Sequence, residues 1–147
     1  MADLVLNIAL GKVAYLAGLP ATNDALIVVP LEATGLVADS VMKDYDDLST
    51  LLAGATNEQT TLGRKTITAV TVTVDDTNDR VDADFADVTW TAATGNAIGA
   101  LLVCYDGDTT AGTDTNIVPL TKHDFTVTPD GSDLVAQIAT AGFYRAS

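Results

Sequence analysis

The chain is poor in the residues that carry chemistry. Its 147 residues include one cysteine, one histidine and one tryptophan, and aromatics make up only 5%. A single cysteine excludes an internal disulfide and any metal cluster built on thiolates. Basic residues are scarce as well, 7 against 20 acids, for a formal net charge of -13. Phosphate backbones are bound by clustered Lys and Arg, and here only Arg64-Lys65 stand together, so a nucleic-acid partner is not expected. No apolar run is long enough to span a bilayer. The opening "MADLVLNIALGKVAYLAGL" has an acid, Asp3, where a leader would carry cations, and Asn7 and Lys12 interrupt its apolar run. It reads as part of the mature chain.

What is present is hydrophobic material, 48% of the residues, enough for one domain with a real core. From residue 66 onward Thr, Val, Asp and Ala dominate, a β composition. Val70, Val72 and Val74 alternate with threonines, and Val81, Ala83 and Phe85 alternate with Asp82 and Asp84. Both read as half-buried strands, joined by "DDTND", whose Asp and Asn side chains bond their own backbone in turns. After Ala86 the apolar parity changes to Val88 and Trp90, which predicts a bulge or strand break there. "GALLVCYD" (99–106) is apolar on both parities and suits a central strand, whereas Pro119 in "NIVPLT" points to an edge. "PDGSD" between "DFTVT" and "DLVAQIA" predicts a hairpin. About seven short strands at this spacing predict an antiparallel β-sandwich or barrel over 66–147, with Val72, Val74, Phe85, Trp90, Leu101, Val103 and Ile138 in its core. Gly- and Thr-rich stretches at 91–98 and 107–115 read as exposed loop tips.

Residues 1–65 differ and read as an N-terminal arm, a strand and a short helix. "DYDDLSTLLAG" predicts that helix, with Asp44 as N-cap, Asp47 at the third helical position and Gly54 just past the end. Tyr45, Leu48, Leu51 and Leu52 fall on one face. "ALIVVPLEA" (25–33) is a strand interrupted by Pro30, and residues 4–19 fit strand and helix alternation equally.

Several chemistries can be tested against the residues. An EF-hand starting at Asp75 has Arg80 where Gly belongs and Ala86 where the bidentate Glu belongs, so the template fails. Asp82, Asp84 and Asp87 instead take outward strand positions, the wet side of a sheet. Asp106, Asp108 and Asp114 are accounted for by turn chemistry. His123 beside Asp124 suggests a catalytic pair, yet strand neighbours point to opposite faces and no "GxSxG" nucleophile motif exists. Cys104 lies mid-strand in an apolar run and reads as a small core residue. Phosphate-binding glycine loops are absent. Paired carboxylates of glycosidase type would need an aromatic-walled pocket, and the few aromatics are better used in a core. Neither an enzyme nor a cofactor or metal requirement is expected.

Three segments carry a resemblance: "DYDDLSTLLAGATNEQTTLGRKTI", "VTVDDTNDRVDADFADVTWTAATGNAIGALLVCYD" and "IVPLTKHDFTVTPDGSDLVAQIATAGFYR". They resemble small proteins encoded among the virion structural genes of tailed bacteriophages. That resemblance implies a non-enzymatic virion component made in the host cytoplasm, of the head decoration (cement) type on the outer face of the major capsid lattice. It implies the major capsid protein or another virion protein as partner, and assembly as a small symmetric homo-oligomer. A tail or head–tail connection component is the alternative, as is a carbohydrate- or host-binding module at a fibre tip, for which an exposed Trp90 would be the sign. The apolar area of residues 2–35 looks larger than a short helix and one sheet face can cover, so it is the expected docking surface. The residues named for it are Leu4, Leu6, Ile8, Leu10, Val13, Tyr15, Leu16, Leu26 and Val28.

Overall fold

A computed structural model describes residues 3–54 and 56–147. The chain is mainly β, with ten strands in antiparallel sheets and three short helices among the described residues. A five-stranded sheet forms the centre, in the order β1 (Leu4–Val5), β8 (Ile117–Val127), β7 (Ile98–Asp106), β2 (Ala25–Glu32) and β3 (Lys65–Ile67). The expected central strand is confirmed: β7 lies between β8 and β2 and is buried from Ile98 to Cys104.

Because β2 and β7 are apolar on both parities, this sheet needs cover on both faces. On one face Leu26, Val28, Leu101 and Val103 pack against a second layer of strands and α1 (Val13–Ala17). That layer consists of β4 (Val70–Asp75), β5 (Arg80–Phe85) and β10 (Tyr144–Ala146), and of the pair β6 (Val88–Trp90) with β9 (Leu134–Ala136). On the other face Ile27, Val29, Leu31, Leu102 and Cys104 pack against Leu6, α2 (Asp39–Met42) and α3 (Leu48–Ala53). The arrangement is sandwich-like, with helices covering the outer face of the larger sheet.

Several expectations are corrected. The described residues before 66 do not form an arm outside the sheet domain, since β2 is paired with β7 along its whole length and β1 pairs with β8. Pro30 does not interrupt β2. Its carbonyl accepts from Gln59 N–H at 2.8 Å, on the side away from β7, so its missing donor costs the β7 ladder nothing. The helix cap is Asp47, whose carboxylate accepts from Thr50 N–H at 2.8 Å, whereas Asp44 accepts from Asn7 Nδ2 at 2.7 Å. "PDGSD" does not close a hairpin: β9 leaves to pair with β6, and the turn docks through Gly131 N–H onto the Ala93 carbonyl at 2.7 Å. Val74 is 69% exposed, because the cover over β4 ends near Val72.

Other details follow the sequence reading. β5 ends at Phe85 and β6 begins at Val88, the expected break near Ala86. Asp75 accepts from Thr77 and Asn78 N–H and from Asn78 Nδ2, locking the β4–β5 turn. Phe85, Trp90, Leu101 and Val103 are buried, with Val72 and Ile138 half-buried beside them. The edge expected at Pro119 is not an edge strand, because β8 lies between β7 and β1, but β1 pairs only with Thr121 and Lys122 and so leaves Pro119 unpaired by it. Gly99 is required by close approach, as a Cβ there would sit 2.9 Å from Ala33 Cα.

Candidate functional site

A register shift in β8 creates the most polar part of the interior. Val103 pairs with Thr121 and Cys104 with Pro119, so Leu120 is the extra residue of a bulge. Ile117, before it, packs with the helices, and His123, after it, faces the opposite layer. The bulge therefore sends Lys122 to the helix side and His123 into the sandwich.

Lys122 is fully buried, and its ammonium lies 3.0 Å from Asp39 Oδ1 and 2.5 Å from Asp124 Oδ1. Burial alone would lower its pKa, but the two carboxylates outweigh that and hold it above the ordinary lysine value. It ties α2 to β8 and stays charged. Sequence reasoning missed it, although Asp124 two residues along the same strand was a usable sign, since residues i and i+2 share a face.

His123 is fixed at both ring nitrogens. Nε2 lies 2.9 Å from Thr121 Oγ1 and Nδ1 lies 3.3 Å from Asp3 Oδ2, while Asp3 Oδ1 accepts from Asp124 N–H at 2.8 Å. As expected, Asp124 is not the partner of His123. The Thr121–His123–Asp3 chain has the outline of a proton relay, but Thr121 is 2% exposed and presents almost no surface for attack on a substrate. Beside His123 a cleft of about 260 Å³ opens between the two strand layers, walled by side chains such as Phe85, Leu101, Phe125 and Phe143.

The acidic residues are spread among turns and ion pairs. Among the described residues, no three His, Cys, Asp or Glu side chains converge as metal ligands would. Asp82, half-buried rather than fully solvated, holds the Arg145 guanidinium at 2.6 and 2.9 Å. That hydrogen-bonded partner lowers the Asp82 pKa. Asp108 accepts from Thr110 and Ala111 and is lowered by those bonds. Arg64 forks between Glu58 and Asp114, at 2.7 and 2.6 Å, clamping the loop before β3 to the loop before β8. The guanidinium holds Asp114 below the usual carboxylate range. Cys104 is buried, and burial pushes its thiol well up, so at neutral pH it is an inert core thiol.

The expected docking residues separate into three groups. Leu6, Val13, Leu26 and Val28 are buried within the chain and are not available to a partner. Leu4, Ile8 and Leu16 are half-buried against the two cores. Only Leu10, at 60%, and Tyr15, at 69%, stand exposed. The surplus of apolar area was illusory because the sheet buries two faces, not one. Trp90 is 2% exposed and donates its Nε1–H to the Gly63 carbonyl at 3.0 Å, leaving no face for stacking on a sugar. No helix among the described residues is long and apolar enough to cross a membrane. In comparisons with protein families, curated proteins and solved structures, no match to this chain was found.

Proposed function

We propose that this chain is a non-enzymatic structural component of a tailed-phage virion, a decoration protein that seats on the outer face of the major capsid lattice. The reading rests on the resemblance of its three long segments to virion proteins. The structural observation that carries it is the apolar surface left bare around α1 and at the end of β4, where the cover over the sheet stops. There α1 packs on β4 and β5, yet Tyr15 on α1 and Val74 on β4 are each 69% exposed, and Leu10, just before α1, is 60% exposed. Large apolar side chains left bare where the cover ends, next to the polar turn at Asp75–Asp79, suit a contact surface with a polar rim. Leu10, Tyr15 and Val74 thus replace the longer set of docking residues.

The test is rebinding to particles stripped of this protein. Wild-type chain should restore occupancy, and Tyr15→Asp with Val74→Asp should lose most of it while circular dichroism stays unchanged. Val135→Asp, at an exposed apolar position on β9, should rebind like wild type. Full occupancy by the double variant would overturn the proposed surface.

A further inference from the structure

The cleft beside His123 is unused by the surface proposed above. It lies where the edge carrying β1 and β8 faces the segment 136–143, and its volume is about 260 Å³. That is near the lower end of small-molecule sites, room for roughly ten heavy atoms. Its walls are Val28, Phe85, Leu101, Phe125, Ile138 and Phe143, contributed by both strand layers and by the closing loop. Water against such walls lacks the two to four polar partners that hold an ordered water. An apolar body that displaces it therefore gains affinity.

The polar groups lie at one end. His123 is held by Thr121 and Asp3, and its ring meets Phe143 edge-on at 6.5 Å, so this rim is rigid. Asp124 also borders the cleft, but its carboxylate is bound to Lys122. Asp3 is different: its side chain is 64% exposed, and two contacts, to His123 and to the Asp124 N–H, leave acceptor capacity on both oxygens. Arg145, near the same rim, is occupied by the Asp82 carboxylate. The net charge of -13 makes the long-range field of the chain as a whole favour cations over anions.

We infer that this cleft is a binding site for a small apolar ligand bearing one ammonium group, with its aryl or alkyl body between the strand layers and its nitrogen on Asp3. Gly142 fixes the closing loop: its φ is +83°, and a Cβ there would collide with the Ala83 carbonyl, so the loop that carries Ile138 and Phe143 is anchored on β5. The cleft is therefore formed before any ligand arrives.

The full chain, labelled with nitrogen-15, is titrated with 2-phenylethylamine, 2-phenylethanol and 3-phenylpropanoate, which share a body and differ in charge. The amine should give saturable shifts at the amides of Leu101, His123, Ile138 and Phe143, with a dissociation constant on the order of a millimolar. The alcohol should bind about fivefold more weakly, the worth of one exposed ion pair, and the carboxylate should not saturate. Asp3→Asn should bring the amine down to the affinity of the alcohol. Ile138→Trp, or Ala139→Trp if the first fails to fold, should fill the cleft and remove binding of both. No saturable shift at those amides, binding of the carboxylate as tightly as the amine, or full binding by the filled variants would each overturn the inference.

Discussion

Replacing Trp90 is the sharpest test of how the two strand layers are joined. The side chain is 2% exposed, sits on β6 opposite Leu134 of β9, and reaches the Gly63 carbonyl at 3.0 Å. Truncating a buried aromatic to alanine costs about 3–5 kcal/mol. One local feature lowers the cost here, and a second raises it slightly. A polar cleft of about 160 Å³, lined by Thr61, Lys65 and Thr91, borders the ring, so water can enter the space and solvate the freed Gly63 carbonyl. The Lys65 ammonium, 5.9 Å from the ring centroid, adds a modest cation–π contact that is also lost. About 3 kcal/mol is therefore expected for Trp90→Ala. Trp90→Phe keeps most of the burial but removes the donor and should cost about 1–2 kcal/mol. Urea melts followed by far-ultraviolet circular dichroism read both variants. Fluorescence of the wild type provides a check, since Trp90 is the only tryptophan and should emit as a buried one. A cost below about 1 kcal/mol for the alanine variant would mean that Trp90 does not join the layers.

Three further outcomes follow from the same geometry. Val74→Thr should be neutral within about 0.5 kcal/mol, while Val72→Thr, half-buried against the core, should cost about 1–2 kcal/mol; equal melts would refute the placement of the cover over β4. Hydrogen-bonded or ion-paired partners lower Asp75, Asp82, Asp108, Asp114 and Asp130 below the ordinary 3.8 in the folded state. Their contribution is present above that value and is lost as pH falls through the lowered folded values, so the melting temperature should drop as pH is taken below about 4. Arg64→Gln removes the Asp114 share and should reduce that drop; an unchanged acid profile would show that the Arg64 clamp is not felt in solution. Calorimetric titration with calcium should find no site tighter than about a millimolar, and a submicromolar site would revive a metal-dependent role for the aspartates.

How far the sequence could be read depended on the range of the signal. β7 was legible because apolar residues on both parities require burial on both faces, and the Asp75 turn was legible because its bonds close within three residues. "PDGSD" is an equally local signal, but which strands pair is decided elsewhere, by β6 capturing β9. Alternation placed Val74 on the correct face, yet it cannot say where the covering layer stops. The N-terminal apolar residues looked unpartnered because β2 was counted as one-sided. Ile27, Val29 and Leu31 face the helices, and Leu6, Met42, Leu48 and Leu51 cover them. At the site, reading His123 as separate from Asp124 was sound, but its true partner lies 120 residues away at Asp3. The Leu120 bulge, which orients both His123 and Lys122, leaves no mark in the local pattern.

Central to the proposed function is that the exposed apolar residues at α1 and the end of β4 seat this chain on a phage head. A cryo-electron microscopy reconstruction of an intact phage particle carrying this chain tests it most directly. The account predicts density for this chain on the outer shell, with Leu10, Tyr15 and Val74 against the major capsid protein or a neighbouring copy. Density confined to the tail or the connector, or a head-bound chain with those three side chains facing solvent, would contradict it.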